Sequence, residues 1–406
     1  MNPLTPSLRD WQAIKRGTRT NFLGITIRTL RAAYLVFVAR IFGSEILGYF
    51  LLAWGLIDVA SKLGLFGMDR AVLRFVPSRG SLPVEERRKM ILSALGLTLL
   101  ASLVTSTVLY LFSATLATHV LDQPHLLPAF RIMSWAVVPL AVSSVLLALT
   151  RIEKHMQYEV WVRSVVEPAL LLGLALWFWT LGQQAVGLYL AQLLSLIGGL
   201  FLSLVFVARL DRDLWRDLSK ESGQGRLPNA SKFVSQLAVF SLPIALYDLL
   251  AMAAMRLDLF LLAPHVTAQE LGVYGAAAQT AFLVKKIRQS FEPIYAPVLA
   301  DQLRSENTET LRHSLQNVTL WITAFSFGFL LLIALVGKEI LLIFGPEFGR
   351  GSTVLLLLSW AYAINGFWGV TENVVLLKKP YWNLYNWMVS ICLGAMLCLV
   401  LIPSYR

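Results

Sequence analysis

Long apolar stretches separated by short polar segments dominate the chain. A helix needs about 20 apolar residues to cross the hydrocarbon core of a bilayer. Eleven stretches approach or exceed this length, at residues 21–42, 46–67, 91–118, 130–150, 161–181, 186–208, 236–262, 271–298, 316–336, 352–376 and 383–403. The pattern therefore predicts an all-α polytopic membrane protein with about eleven transmembrane helices.

The composition supports this prediction and excludes several other classes. Hydrophobic residues make up 57% of the 406 residues and charged residues only 15%, against about 25% in soluble proteins. The two cysteines, Cys392 and Cys398, lie in one apolar stretch, and the five histidines lack the spacing of metal ligands. No GxxxxGK[ST] motif for ATP occurs. We therefore predict no disulfide framework, no metal site and no cofactor.

The charges between the apolar stretches alternate along the chain. Lys and Arg collect before the first stretch and in connections such as Arg70 to Lys89, Arg151 to Arg163 and Arg209 to Lys232. The intervening connections, such as Gly43 to Glu45, hold almost none. Because Lys and Arg are enriched in cytoplasmic loops, the net charge of +11 reflects topology rather than nucleic-acid binding. Because the segment before the first stretch is basic, the alternation predicts a cytoplasmic N-terminus.

Two parts of the chain repeat each other at a nearly constant offset. Leu47-Gly48 recurs as Leu271-Gly272, and Ser134 to Ala136 recurs as Ser359 to Ala361, with offsets that differ by a single position. The matching segments have the same predicted topology, which is typical of an internal duplication. Parallel repeats of this kind occur in secondary transporters, where the substrate site lies between them.

The duplication predicts two lobes. Residues 1–210 are expected to form an N-terminal lobe of six helices, and residues 233–406 a C-terminal lobe of five. Residues 211–232 are rich in charge and carry glycine and proline, so they are expected to form a cytoplasmic linker. Since the second copy is shorter by one apolar stretch, we expect one helix fewer than the twelve of a complete duplication.

Several cations fall inside the apolar stretches, where a charge costs about 2.5–3.5 kcal/mol at the bilayer centre. Arg28 and Arg31 have no acidic residue within four positions, so their partner is expected on another helix or on a ligand. Cations recur at matching depths in the second copy. The predicted lining of a cationic cavity between the lobes is Arg28, Arg31, Lys62, Arg256, Lys285, Lys286 and Arg288.

Three carboxylates in the apolar stretches, Asp58, Asp248 and Asp258, are candidates for charge balance or for coupling to an ion. Asp58 and Lys62 lie one helical turn apart and could neutralise each other. Asp258 lies two residues from Arg256, so these two side chains leave the helix in different directions. The sequence leaves open which carboxylates pair within the protein.

Specific segments of both copies resemble a known family. They are Asn21-Phe22, Ala39 to Glu45, Leu47 to Phe50, Leu65 to Ala71, Leu271 to Tyr274 and Ile343 to Phe348, with Asp258 and Pro297. Together they resemble the O-antigen flippase-like (Wzx-like) polysaccharide transporters. These form a branch of the multidrug/oligosaccharidyl-lipid/polysaccharide exporter superfamily.

The resemblance implies a transporter that moves a lipid-linked saccharide from the cytoplasmic to the periplasmic leaflet of the bacterial inner membrane. The implied partners are a polyprenyl-diphosphate-linked saccharide, membrane lipids, and the glycosyltransferases and polymerase of polysaccharide assembly. Buried arginines suit a diphosphate because a guanidinium donates hydrogen bonds in a bidentate fork. The resemblance implies no enzyme activity, in keeping with the short outward connections, which argue against membrane-bound glycosyltransferases, polymerases and ligases.

Two other functions are compatible with the same pattern. A proton- or sodium-coupled antiporter of small molecules shares the fold, but it usually needs intramembrane carboxylates, and the buried positions here are mostly cationic. A membrane scaffold without transport activity is the third reading.

Overall fold

The computed structural model describes residues 8–77, 83–210, 230–304, 308–378 and 380–404. Side chains are described from Tyr34 onward, apart from scattered positions. Within these ranges the regular secondary structure is helical, without strands.

The described part of the first half folds into eight helices. They are α1 (Leu8–Leu65), α2 (Met68–Phe75), α3 (Val84–Thr115), α4 (Leu127–Met133), α5 (Val137–Ile152), α6 (Gln157–Val160), α7 (Glu167–Thr180) and α8 (Ala185–Leu210). A 3₁₀ turn, Ser134–Ala136, joins α4 to α5, and a π-helical turn, Trp161–Val166, joins α6 to α7. Each of these pairs therefore forms one long, nearly continuous rod.

The described part of the second half folds into five long helices. They are α9 (Ala230–Leu262), α10 (Ala268–Arg304), α11 (Thr308–Leu342), α12 (Ser352–Lys378) and α13 (Pro380–Ser404). Short 3₁₀ helices, Ala263–His265 and Pro346–Gly351, precede α10 and α12.

The predicted apolar stretches coincide with these helices. Seven described helical segments are long and apolar enough to cross a membrane, for example Ala185–Leu210 and Leu311–Leu342. Large apolar side chains such as Leu335 (71% exposed) and Trp368 (65% exposed) lie on the outside, where lipid solvates them well. The prediction of an all-α polytopic membrane protein is confirmed, and the number of crossings stays a prediction.

The first two apolar stretches meet at a single residue. α1 consists of two helices joined at Gly43, whose φ of 79° and ψ of 174° fall in a region that only glycine adopts readily. The sequence predicted a short connection, Gly43 to Glu45, at this place. The structure reduces that connection to the single residue Gly43.

Contacts along the chain divide it into two compact units. Unit 1 contains Met1–Val36, Ile57–Ser113 and Leu127–Asp248, and unit 2 contains Phe37–Leu56, Ala114–Leu126 and Leu249–Arg406. Two short pieces of the first half thus pack with the second half. The lobes 1–210 and 233–406 and the linker 211–232 stay a prediction, and residues 211–229 lie outside the described chain.

The core of unit 1 forms where α2 is buried. Met68 and Val72 are fully buried and belong to a cluster that includes Val145 of α5 and Leu237 of α9. Gly67 directly precedes α2 and has a left-handed φ of 66°, and a Cβ there would lie 3.0 Å from the carbonyl oxygen of Ser241. Glycine at position 67 therefore lets the start of α2 approach α9 closely.

Unit 2 has its own buried cluster between α10 and α11. Tyr295 and Leu299 of α10 pack with Ile322 of α11, and the Tyr295 hydroxyl is 2.9 Å from Ser314 Oγ. This packing fixes α10, the helix that carries most of the predicted cations of the second half.

Candidate functional site

Two predicted cations of the site, Arg28 and Arg31, lie on α1. Their side chains fall outside the described part of the chain. Their role as ligands of an anion stays a prediction, and the geometry below rests on the other predicted residues.

A charged cluster in unit 1 connects the ends of α1 and α2 with α9. Arg70 Nη2 donates a hydrogen bond to Asp248 Oδ1 at 2.8 Å, and the two side chains are 50% and 17% exposed. Lys62 and Asp69 lie within electrostatic range of the Asp248 carboxylate. The sequence predicted Lys62 and Asp248 as site residues and missed Arg70, which the turn at Gly67 brings against α9.

Asp58 lies one helical turn before Lys62 on α1 and is partly buried. Its backbone carbonyl accepts a hydrogen bond from Ser61 Oγ at 2.7 Å. Lys62 also interacts electrostatically with Asp248 of α9. Asp58 is therefore not the only carboxylate near the Lys62 ammonium group.

In unit 2, the charges of α9 converge on two tyrosines. Asp258 accepts a hydrogen bond from the hydroxyl of Tyr274 on α10. Tyr362 on α12 lies within electrostatic range of both Asp258 and Arg256. The sequence predicted Arg256 and Asp258 as charges that point apart, and the structure brings both near the same tyrosine.

The two lysines of α10 lie over aromatic rings. Lys285 Nζ is 5.5 Å from the ring centre of Phe282 and 5.9 Å from that of Tyr362. Lys286 Nζ is 5.1 Å from the Phe282 ring centre. Aromatic faces attract ammonium groups by about 0.5–2 kcal/mol. These rings therefore help to stabilise the two ammonium groups on α10.

Arg288, also on α10, is held by one face of α12. Its guanidinium donates to Asn365 Oδ1 at 3.0 Å and to Glu372 Oε2 at 2.9 Å. Gly369 lies between these two residues on the same helical face, and a Cβ there would overlap the guanidinium. Arg288 is only 9% exposed, so the paired carboxylate offsets part of the cost of burying its charge.

We define the charge cluster of α9, α10 and α12 as Arg256, Asp258, Lys285, Lys286, Arg288 and Glu372. It contains four cations and two carboxylates, and five of its members were predicted from the sequence. Glu372 was missed, as were three residues that contact the cluster, Asn365, Tyr274 and Tyr362. A signal for Glu372 existed, because it is an acidic residue in the stretch 352–376, whereas nothing in the sequence links it to Arg288, 84 residues away.

Comparisons with known proteins place the chain in a family. The family described as "Polysaccharide biosynthesis protein" matches residues 37–353, which is more than half of the chain. No curated protein matches the chain.

Solved structures share the fold at low sequence identity. An inward-facing multidrug resistance MATE family transporter of the MOP superfamily has a TM-score of 0.63 and 14% identity, covering 93% of this chain and 94% of that chain. A MOP superfamily transporter from Pyrococcus furiosus, for which reverse polarity of the binding pocket suggests a different function, has a TM-score of 0.52 and 14% identity. That comparison covers 94% of this chain and 93% of that chain. The chain therefore belongs to the polysaccharide biosynthesis protein family and is a multi-pass membrane protein with the fold of MOP superfamily transporters.

Proposed function

We propose that the chain is a flippase, a secondary transporter that moves a lipid-linked oligosaccharide or polysaccharide precursor across the bacterial cytoplasmic membrane. Membership in a polysaccharide biosynthesis family and a transporter fold both support this proposal. The observation that carries it is the excess of cations in the charge cluster of α9, α10 and α12.

A diphosphate linked to a lipid has to leave water while its tail stays in the bilayer. Lysine and arginine side chains in apolar helices offset the desolvation of the phosphate oxygens. Arg288 is fixed in orientation by Asn365 and Glu372, which lowers the entropy that it would lose on binding an anion. An inside-negative potential also favours outward movement of negative charge by about 2.3 kcal/mol per charge per 100 mV.

The proposal is tested by reconstitution into proteoliposomes with a fluorescent polyprenyl-diphosphate saccharide. Transport is the fraction of label that crosses to the other leaflet with time. We expect K285Q/K286Q to slow transport about tenfold or more, because two cations of the cluster are removed. R209Q is the matched control, since Arg209 is exposed at the end of α8. Unchanged transport in K285Q/K286Q contradicts the proposed role of the cluster.

A second candidate function is that of a small-molecule antiporter coupled to protons or sodium. The observation that favours it is Asp258, an intramembrane carboxylate hydrogen-bonded to Tyr274. An antiporter is expected to export cationic dyes when an ion gradient is imposed, and D258N is expected to abolish that export. Dye export by the wild type without movement of the lipid-linked saccharide favours this function over the flippase.

The proposed location follows from the charge pattern of the sequence, and the proposed partners follow from the flippase function. We place the protein in the bacterial inner membrane with its N-terminus in the cytoplasm, because Lys and Arg are concentrated in alternate connections. Its proposed partners are the lipid-linked saccharide, the membrane lipids, and the glycosyltransferases and polymerase that make and use that saccharide.

A further inference from the structure

Four oxygen atoms of unit 1 surround the guanidinium of Arg163. Its Nη1 donates to Glu167 Oε1 at 2.8 Å, and its Nη2 donates to the hydroxyls of Ser143 and Ser144, both at 2.9 Å. Nη2 also donates to the carbonyl oxygen of Leu140 at 3.3 Å. Three oxygens of α5 therefore converge on one nitrogen, and the carboxylate of α7 lies beside them.

The two serine hydroxyls can act only as acceptors towards Arg163. Ser143 Oγ donates to the carbonyl oxygen of Leu140 at 3.2 Å, and Ser144 Oγ donates to the same oxygen at 2.7 Å. Because a hydroxyl has a single proton, these bonds leave only lone pairs for the guanidinium. A carboxylate, two hydroxyls and a backbone carbonyl thus present acceptors alone. Oxygen ligands of these kinds are the ones that hard cations prefer.

The local backbone holds this arrangement in place. Arg163 lies in the π-helical turn Trp161–Val166, and turns of this kind occur frequently at functional sites. On the other side of the pair, α8 approaches the carboxylate at Gly199, where a Cβ would lie 2.6 Å from Glu167 Oε1. Glycine at position 199 therefore makes room for the carboxylate between α7 and α8.

The guanidinium is directed at the protein rather than at a substrate. The side chains of Arg163 and Glu167 are 25% and 13% exposed, and both lie in the apolar stretch 161–181. A carboxylate in such a stretch is costly unless a cation balances it. Arg163 supplies that charge from one helical turn away, and neither residue belongs to the charge cluster of α9, α10 and α12.

We propose that Arg163 is a tethered cation that fills an ion site of unit 1. Membrane transporters hold a soluble coupling ion with oxygen ligands that include backbone carbonyls. Here a covalently attached guanidinium takes that place, so a soluble cation can enter only by displacing it. The consequence for coupling rests on the proposed transport function: this site binds and releases no ion during the transport cycle.

Removal of the tethered cation is expected to open the site to sodium. R163A lacks the guanidinium but keeps the four oxygens. Thermal unfolding in detergent is measured at constant ionic strength, with sodium chloride exchanged for choline chloride, whose cation is much larger. We expect sodium to raise the unfolding midpoint of R163A by at least about 2 °C, with saturation, as a ligand of the folded state does. The wild type is expected to unfold at the same temperature in both salts.

Two control variants separate binding at this site from a general effect of salt. R131A removes an exposed arginine that lies 6.0 Å from the ring centre of Tyr110, and it is expected to gain no response to sodium. R163A/E167Q also lacks the carboxylate and is expected to lose the response of R163A. An equal shift in R163A and R163A/E167Q contradicts the ion site, and so does the absence of any shift in R163A.

The folding of R163A is itself a test. Folded protein that is obtained in sodium and not in choline supports the proposal. Failure to fold in both salts contradicts it, because sodium then does not replace the guanidinium. A response of the wild type to sodium that E167Q abolishes contradicts it as well, because Arg163 then leaves the site open to a soluble ion.

The transport assay gives an independent measurement of the consequence for coupling. We expect the ratio of the saccharide transport rates in sodium and in choline to be at least about tenfold higher for R163A than for R131A. Equal ratios contradict a role of this site in coupling. Absence of transport in the wild type contradicts the proposed function, and the thermal experiment then still tests the ion site.

Discussion

At the scale of single residues, Gly369 determines how Arg288 is held. G369A places a methyl group where the guanidinium lies. We expect this to lower the free energy of unfolding by about 1–3 kcal/mol, as other overpacked substitutions do. The control is G328A on α11, where an added Cβ meets nothing within 4 Å. Thermal unfolding in detergent measures both, and equal stability of the two variants would show that Arg288 tolerates displacement.

The ion pair of Arg288 and Glu372 is a second prediction at this scale. A double-mutant cycle with R288Q and E372Q is expected to give a coupling energy of about 1–3 kcal/mol, since the Arg288 side chain is only 11% exposed and that of Glu372 30%. The pair of Arg151 and Glu159, at 3.4 Å and with side chains 26% and 39% exposed, is the less buried of the two and is expected to give about 0.2–1 kcal/mol. Chemical denaturation of the purified protein supplies the four stabilities of each cycle. Similar coupling in both cycles would mean that burial adds nothing to the Arg288 pair.

The cations of the site could be predicted from the sequence, and their partners could not. Lys285 and Arg288 are conspicuous because they interrupt an apolar stretch, where a charge has a high cost. Their partners are fixed by the packing of α12 on α10, a contact between segments far apart in the chain. Local spacing holds no information about such a contact, so Asn365 and Tyr362 were missed.

At the scale of elements, Gly43 sets the junction between the two helices of α1. Its backbone conformation is adopted almost only by glycine. We expect G43A to lower the free energy of unfolding by about 1–3 kcal/mol. G96A, in the open middle of α3, is expected to raise it by about 0.5–1 kcal/mol because alanine favours helix. Unfolding curves that move in the same direction for both variants would contradict this account of the junction.

The positions of the long helices could be predicted because their length is set by the thickness of the bilayer. Their junctions could not be predicted equally well. The stretch 46–67 ends close to the observed end of α1 at Leu65, but the separate short helix α2 depends on left-handed backbone at Phe66 and Gly67. A hydropathy pattern does not report the sign of φ at one residue.

At the scale of the whole molecule, the predicted orientation can be measured with single cysteines introduced into a C392S/C398S variant, which lacks the two native cysteines. Glu85 and Gln184 are both exposed, and the charge pattern places them on opposite sides of the membrane. In intact cells we expect an impermeant maleimide to label Q184C and not E85C. After permeabilisation both are expected to react. Labelling of E85C alone in intact cells would contradict the predicted orientation and indicate the opposite one.

α1 and α10 meet at Gly48 and Gly272, where a Cβ would overlap the carbonyl oxygens of Ala268 and Ser44 respectively. The offset of the predicted duplication makes these two glycines equivalent. A surface that meets its own equivalent is the mark of a two-fold homodimer. A half-length ancestor would have made this contact between two separate subunits, with one glycine codon serving both sides. After gene fusion the two codons mutate independently, although each glycine still depends on the other. On the predicted duplication, the chain thus keeps a former contact between subunits that now requires glycine at two separately encoded positions.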